Sequence, residues 1–319
     1  MTAGRVVVIG AVHEALPLVT RLLAERAEDF VGLVTFEQDL LVQQAGWVDL
    51  VSHAADADVP VLRVRNLNST ENVAALSQWD PELLVVVGWT RLLGSEVLRV
   101  PRRGTVGFHA SLLPENRGRA PVNWQIIRGD TVGGNTMMLL DEGADTGDIV
   151  DQVALDISDG DTCATVYDRV AQAGATMLMR NLDALLAGRA PRTRQDPHEG
   201  SENGRRIPEM GVTDWRRSAR ELHDWVRAQT RPYPGAFTTL HGRTIRLWGS
   251  QVADTHTTAA RPGEVVRSAD DTLLVQCGVG RLLITDWDSD DGHAVDETTV
   301  FDAIDDAMRD WALGLAERP

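Results

Sequence analysis

Short apolar runs alternate with amphipathic segments through the first half of the chain. The first four runs are Arg5–Ile9, Phe30–Thr35, Val59–Val64 and Leu83–Val87. Between them lie helical patterns such as Glu14–Ala27 and Ser69–Trp79. Continuous apolar strands that are separated by helices are typical of a parallel sheet covered on both faces. The sequence therefore predicts a doubly wound α/β domain.

The turn after the first strand limits which ligand this domain could bind. It reads Gly10-Ala-Val-His13 and lacks the Gly-x-Gly-x-x-Gly pattern of dinucleotide-binding domains. We therefore expect a Rossmann-like fold without NAD. Three more strands are predicted, followed by a long closing helix: Gly104–His109, Asn135–Leu140, Asp148–Leu155 and the helix Thr162–Leu186.

The second half of the chain has a different pattern. Residues 195–209 are polar and contain Gly and Pro, which is typical of a linker. A helix is predicted from Asp214 to Arg227, followed by five short strands with turn signals, which suggest a small OB-like β-barrel. The predicted domains are residues 1–195, a linker 196–209, a barrel 210–292 and a helical tail 293–319. The tail helix, Val300–Leu315, is a candidate contact in a homodimer.

Composition excludes several classes of protein. No apolar run reaches the roughly 20 residues of a membrane-spanning helix, and no signal peptide is visible, so we expect a cytoplasmic protein without a membrane partner. The two cysteines are far apart and the eight histidines are scattered, which argues against a disulfide or a metal site. The net charge of −16, with no lysine, argues against a nucleic-acid partner.

One stretch, Phe108–Ile149, places a histidine and an aspartate where chemistry could occur. His109 ends a predicted buried strand, and Pro114 then directs the chain out of the sheet. Asp145 lies in a turn-forming loop between two apolar runs. A carboxylate beside an imidazole fixes its tautomer and raises its basicity. From spacing alone, His109 could equally be a satisfied core histidine and Asp145 only a turn former.

The motifs of this stretch carry a family resemblance. The chain reads GFHASLLPENRG at 107–118, then Pro121-Val-Asn-Trp124, then Asp145-Thr-Gly147. It resembles the 10-formyltetrahydrofolate-dependent formyltransferases, whose signature is Asn-x-His-x-Ser-Leu-Leu-Pro-x-x-Arg-Gly, then Pro-x-x-Trp and an Asp-x-Gly loop. The segments RAQTRPYPGAF and DDTLLVQCGVGRLLI resemble the barrel-type domain of the two-domain members, so the resemblance covers about residues 1 to 285.

The resemblance implies roles for individual residues. His109 would act as the acid/base group, and Asp145 would orient it. The positions that match the folate-binding residues are Arg91, Leu92, Leu93, Arg119, Asp141, Glu142, Gly143, Ala144 and Asp145. Gly107 stands where the family has an Asn that donates to the oxyanion of the tetrahedral intermediate.

Two nearby asparagines, Asn116 and Asn123, are candidates to replace that missing donor. Arg117 is a candidate to hold the loop, because an arginine after a tight turn often donates hydrogen bonds to backbone carbonyls. The sequence does not decide between these possibilities.

The resulting expectation is formyl transfer from 10-formyltetrahydrofolate to the amine of a small molecule. The net charge favours a small acceptor such as an amino sugar or amino acid. Two alternatives stay open: a methionyl-tRNA formyltransferase, and a repurposed or non-catalytic protein with the folate-binding fold.

Overall fold

The computed structural model describes residues 4–254, 259–269, 271–290 and 295–317. The chain forms two compact units. The first comprises the residues up to Pro121 together with Val132–Asp156 and Tyr167–Asn203. The second comprises Val122–Thr131, Ile157–Val166 and the residues from Gly204 onward.

The regular elements follow the predicted alternation. In the first part of the chain they are β1 (Val6–Ile9), α1 (Ala15–Arg26), β2 (Phe30–Phe36), α2 (Gln38–Leu41), α3 (Leu50–Ala55), β3 (Val61–Val64), α4 (Thr70–Gln78), β4 (Leu83–Val86), α5 (Ser95–Leu98), β5 (Thr105–His109), β6 (Arg117–Gly118), α6 (Pro121–Arg128), β7 (Val132–Leu139), β8 (Ile149–Asp156) and α7 (Cys163–Leu186). The remaining elements are β9 (Glu202–Asn203), α8 (Ala219–Arg227), β10 (Ala236–Leu240), β11 (Arg243–Asp254), β12 (Val265–Ala269), β13 (Thr272–Gln276), β14 (Arg281–Ser289) and α9 (Asp306–Ala312).

The first unit is built on a seven-stranded sheet in the order β3-β2-β1-β4-β5-β7-β8. Neighbouring strands from β3 to β5 are parallel, and β7 and β8 are added antiparallel. Alternate residues of β1 pack into different apolar clusters, because Val6 and Val8 belong to one and Val7 and Ile9 to the other. Both faces of the sheet are therefore covered, and the predicted doubly wound architecture is confirmed.

The second unit contains a five-stranded antiparallel sheet in the order β10-β11-β14-β13-β12. Its strands are longer than predicted, since β11 runs to Asp254 and β14 to Ser289. The alternation of buried and half-buried residues along β10 fits a sheet with one covered face. An antiparallel C-terminal β domain was expected from the sequence and is confirmed.

Helix α8 begins five residues later than the predicted start at Asp214. Ser218 is its N-cap, and Ser218 and Glu221 form a reciprocal capping box. Asp214 instead accepts hydrogen bonds from Arg216 within a preceding turn. The capping box therefore fixes the helix start more strongly than the apolar pattern indicated.

The predicted tail helix, Val300–Leu315, is shorter in the structure and spans Asp306–Ala312. The residues before it are extended. The N–H of Phe301 donates to Gly263, and its ring stacks on Trp215 at 5.4 Å between centroids. These long-range contacts override the helical spacing of the apolar residues. Residues 293, 294, 318 and 319 of the predicted tail lie outside the described residues.

Cys163 and Cys277 are both free and buried. Burial raises the pKa of each thiol to about 12, so neither is a reactive thiolate at neutral pH. Among the described residues, no helix has both the length and the apolar character needed to cross a membrane.

A buried ion pair in the second unit gives a stability prediction. Arg227 donates to Asp224 at 2.7 Å and to the carbonyls of Ser158 and Asp161, and both charged side chains are buried. Arg227→Ala should destabilise the protein by about 1.5–3 kcal/mol. It leaves the buried Asp224 carboxylate with only the partly exposed Arg220 as a partner, and it removes the donor to the two carbonyls. Urea unfolding monitored by tryptophan fluorescence would measure this loss.

The exposed Arg261 provides the matched control for that measurement. It lies 4.0 Å from Glu264 and is largely exposed to solvent. Arg261→Ala should change the free energy of unfolding by less than about 1 kcal/mol. Equal losses for the two variants would contradict a structural role for the buried pair.

Candidate active site

His109 lies at the carboxyl end of β5, in the first unit. It pairs with Thr136 of the antiparallel strand β7, and its side chain is buried. Ligands of open α/β sheets bind outside the carboxyl ends of the strands. The histidine is therefore placed at the edge where a ligand would bind.

Each ring nitrogen of His109 faces an oxygen. Nε2 lies 2.6 Å from the carbonyl oxygen of Asn116, and Nδ1 lies 3.4 Å from Oδ1 of Asp145. Both oxygens are hydrogen-bond acceptors, so both contacts are satisfied only when the imidazole carries two protons. To take a proton from a substrate, the neutral ring must exchange one of these contacts.

Asp145 is held by two different segments, through a backbone N–H of one and an amide side chain of the other. Its Oδ2 accepts from the N–H of Gly118 at 2.9 Å, and its carbonyl accepts from the side chain of Gln195 at 2.9 Å. Asp145 has a φ of 58°, a left-handed conformation that is uncommon outside glycine. The pairing of His109 with Asp145 was proposed from sequence, and the structure brings the two side chains together.

The first half of the predicted linker belongs to this site. The two-residue strand β9 pairs in parallel with β6, and Gln195 contacts the loop that carries Asp145. Sequence reasoning missed Gln195, because the segment has no apolar anchor. The signal that could have identified it is weak: an amide side chain next to the end of the predicted domain.

Arg117 of β6 binds this segment through its guanidinium group. Its guanidinium donates to the carbonyls of Asp196 and Glu199 and to Oε1 of Gln195. These contacts match the loop-holding role that was considered for an arginine after a tight turn.

Gly107 lies in the middle of β5, between Val86 of β4 and Met138 of β7. A Cβ atom at this position would lie 2.6 Å from Cδ2 and 3.0 Å from Cγ of Leu140. The space where the family's Asn side chain would begin is therefore filled by an apolar side chain. The motif could not predict that Leu140 occupies this space, because Leu140 lies outside the motif.

The two asparagines proposed to replace the missing donor differ in their surroundings. Asn123 is buried in the second unit, and its Nδ2 donates to the carbonyl of Ala228 at 2.6 Å. Its amide donor is therefore used within that unit. Asn116 adjoins the imidazole through its carbonyl, and its Oδ1 accepts from Asn203 at 3.1 Å.

The segment expected to hold the folate ring follows β4. Asn68 donates to the carbonyl of Leu92 and accepts from the N–H of Gly94, which fixes the backbone there. The guanidinium of Arg91 lies 5.0 Å from the centre of the Phe36 ring. The Leu92 side chain is 76% exposed, which leaves an apolar surface beside the strand ends.

The acidic loop expected to contact folate is held by hydrogen bonds between its own residues. Oδ1 of Asp141 accepts from the N–H of Gly143 and from the hydroxyl of Thr146. Glu142 lies 3.6 Å from Arg99, which follows α5, and Ala144 precedes Asp145. Arg119 donates its N–H to the carbonyl of Asn203.

In the described part of the chain, no group of three or more His, Cys, Asp or Glu side chains could hold a metal ion.

Solved structures of similar fold include several formyltransferase-type proteins. HypX from Aquifex aeolicus in complex with tetrahydrofolic acid has a TM-score of 0.66 at 19% identity, with 90% of this chain aligned to 44% of HypX. WlaRD, a sugar 3N-formyl transferase, has a TM-score of 0.64 at 15% identity, with 88% of this chain and 97% of WlaRD aligned. These similarities support the fold. The present chain aligns with less than half of the length of HypX.

Two curated relatives are more similar in sequence. Methionyl-tRNA formyltransferase of Geobacter sulfurreducens is 34% identical over 286 residues, which is 89% of each chain. The Pelobacter propionicus enzyme of the same name is 38% identical over 227 residues, or 71% of this chain and 70% of its own. Residues 5–182 match the Formyl transferase family, and residues 206–303 match Formyl transferase, C-terminal domain. The chain therefore belongs to the formyltransferase family.

Proposed function

We propose that the protein transfers the formyl group of 10-formyltetrahydrofolate to the amine of methionyl-tRNA, with His109 as acid/base group and Asp145 as its partner. The observation that carries the chemistry is the contact of the His109 imidazole with the Asp145 carboxylate at a strand end. The extent of sequence similarity to methionyl-tRNA formyltransferases supports the acceptor.

The reaction needs one proton acceptor and one proton donor. The amine nitrogen attacks the formyl carbon, and the carbonyl oxygen becomes an oxyanion. His109 takes the proton of the amine and returns it to N10 of the folate as the bond from N10 to the formyl carbon breaks. The products are the formylated amine and tetrahydrofolate, so atoms and charge balance.

The donor fits the edge of the sheet where His109 lies. A pterin ring is flat, with polar atoms at its rim. The backbone at Leu92 is fixed by Asn68, and the exposed Leu92 side chain offers apolar surface for the ring. The family membership and the tetrahydrofolic acid complex of HypX support folate as the donor class.

The acceptor proposed here departs from the small amine favoured by net charge. A net charge of −16 opposes phosphate binding over long distances, but it does not describe the local surface that would meet a tRNA. Several exposed arginines, including Arg205 and Arg267, lie in the second unit. Such residues could neutralise phosphates locally despite an acidic total.

A small-molecule amine is the second candidate. The Leu140 side chain, which fills the space beside Gly107, favours this candidate. A site whose oxyanion stabilisation differs from that of the family is more consistent with an acceptor that also differs. One structural neighbour, WlaRD, is named a sugar 3N-formyl transferase.

Transfer of labelled formyl groups to charged initiator tRNA, and to a panel of amino sugars and amino acids, separates the two acceptors. We expect formylmethionyl-tRNA, with kcat/KM falling steeply as salt rises from about 50 to 200 mM, since phosphate contacts release counterions. Salt-insensitive transfer to a small amine, without product on tRNA, would favour the second candidate. Folate binding without turnover on any amine would contradict both.

A further inference from the structure

Two polar side chains are buried in a segment that has no apolar anchor. Gln195 and Asn203 are each only 7% exposed, although the residues between them are largely exposed. Burying an amide is unfavourable unless its donors and acceptor find partners. The partners of these two amides therefore show what the segment is held against.

Gln195 is bonded to the turn that carries Asp145. Its Nε2 donates to the carbonyls of Asp145 at 2.9 Å and Gly147 at 2.7 Å, and its Oε1 accepts from Arg117 at 2.9 Å. The left-handed backbone of Asp145 needs such support, because this conformation is unfavourable for residues other than glycine. Gln195 thus fixes the backbone from which the carboxylate reaches Nδ1 of His109.

Asn203 is bonded to the residue on the other side of the imidazole. Its Nδ2 donates to Oδ1 of Asn116 at 3.1 Å. Asn116 is also left-handed, with a φ of 62°, and its N–H donates to the hydroxyl of Ser201 at 2.9 Å. The carbonyl of Asn116 is the group that faces Nε2 of His109.

We propose that Gln195 and Asn203 are positioning residues for formyl transfer. Gln195 would act through Asp145 at Nδ1 of His109, and Asn203 would act through Asn116 at Nε2. The proposal deepens the proposed function and rests on it, because both residues act only by orienting His109. Catalytic groups must be held to within about 0.5 Å, and both contacts go to residues that touch the ring.

A double-mutant cycle tests the role of Gln195. Gln195→Ala should lower kcat about 10- to 100-fold with a smaller change in KM for the folate, because the reacting geometry is lost while the donor site stays formed. In an Asp145→Ala background the same substitution should change the single-turnover rate less than about 3-fold, since the carboxylate it positions is absent. Gln172→Ala, at an exposed position of α7, is the control. It should leave kcat unchanged in the wild-type background and the single-turnover rate unchanged in the Asp145→Ala background.

The outcome of the cycle distinguishes positioning from general stabilisation. Equal losses in both backgrounds would overturn the proposal, because Gln195 would then act independently of Asp145. No loss in the wild-type background would overturn it as well.

A second pair of variants tests Asn203. Asn203→Ala removes the donor to Asn116 and should lower kcat about 10-fold. Asn203→Asp should restore most of the rate, because the Asn116 amide can turn and donate its Nδ2 to the new carboxylate. Equal activity of the two variants would overturn this part of the proposal, and thermal unfolding would confirm that both are folded.

Failure of the proposed function is detected separately. If the wild-type protein transfers formyl groups to no amine, the function fails whatever the variants do. The proposal then depends on the ¹⁵N NMR shifts of the His109 ring nitrogens, assigned by comparison with His109→Gln. Gln195→Ala should change these shifts and Gln172→Ala should not, whereas an unchanged spectrum of Gln195→Ala would overturn it.

Discussion

Replacing His109 with glutamine should lower kcat for formyl transfer about 10²- to 10⁴-fold, the range that general acid–base catalysis contributes. Glutamine can still donate a hydrogen bond toward the Asn116 carbonyl, which accepts from Nε2 in the wild-type protein. It cannot take a proton from the amine. The substitution therefore removes the base while preserving the contact that orders the loop, and steady-state rates at saturating donor and acceptor would measure it.

Binding and folding serve as controls for that loss. Affinity for 10-formyltetrahydrofolate and the melting temperature should stay close to wild type, since the side chain is replaced by a similar polar group. His53→Gln, at an exposed position of α3, should have no effect on the rate. A His109→Gln variant within about 3-fold of wild-type activity would show that the base lies elsewhere.

Combining Gly107→Asn with Leu140→Ala should raise kcat by up to about 10²- to 10³-fold, the contribution of one oxyanion donor. Gly107→Asn alone should gain less, because its Cβ would lie 2.6 Å from Cδ2 of Leu140 and the leucine must move. Leu140→Ala alone should gain nothing, since it adds no donor. Rates of the two single variants and the double variant would give the coupling between the positions.

The result of this cycle also bears on the acceptor. A gain with methionyl-tRNA would indicate that the wild-type site lacks only the donor group. A double variant that is folded but slower than wild type with every amine would contradict the expectation that an asparagine at 107 reaches the oxyanion. It would also indicate that the oxyanion is stabilised from another direction.

Much of the fold could be predicted from local pattern. The continuous apolar strands predicted a sheet covered on both faces. Of the two candidate caps of the helix predicted from Ser69 to Trp79, Ser69 and Thr70, the N-cap is Ser69, whose hydroxyl accepts from the N–H of Asn72. One error, the start of α8, was decided by the local capping box of Ser218 and Glu221, and another was decided by long-range contacts. The residues before α9 have helical spacing, yet Phe301 stacks on Trp215, so this part of the tail is extended.

The site was predicted less completely than the fold. His109 and Asp145 could be paired because each was predicted near the end of a neighbouring strand. β7 runs antiparallel to β5, so it is the loop after β7 that brings Asp145 back to His109. Gln195 and Leu140 could not be found, because each acts through a neighbour that is distant in sequence or outside the motif. A polar, Gly- and Pro-containing stretch indicates a linker by composition, and only the burial of its amides shows that it packs against the residues around His109.

Net charge alone does not decide which acceptor the protein uses. Many arginines of the second unit are paired with nearby acids, such as Arg216 with Asp214 and Asp306. A total charge cannot distinguish such paired groups from a surface that is locally available to phosphates. Acceptor choice therefore depends on local arrangement, which composition does not encode.

The most direct test of the account is a single-turnover reaction of the wild-type protein with labelled 10-formyltetrahydrofolate and methionyl-tRNA, with both products measured. The account predicts equal amounts of formylmethionyl-tRNA and tetrahydrofolate, formed at a rate that falls about 10²-fold or more in His109→Gln. Donor that stays bound and unconverted with every amine offered, or product formed equally fast by His109→Gln, would contradict it.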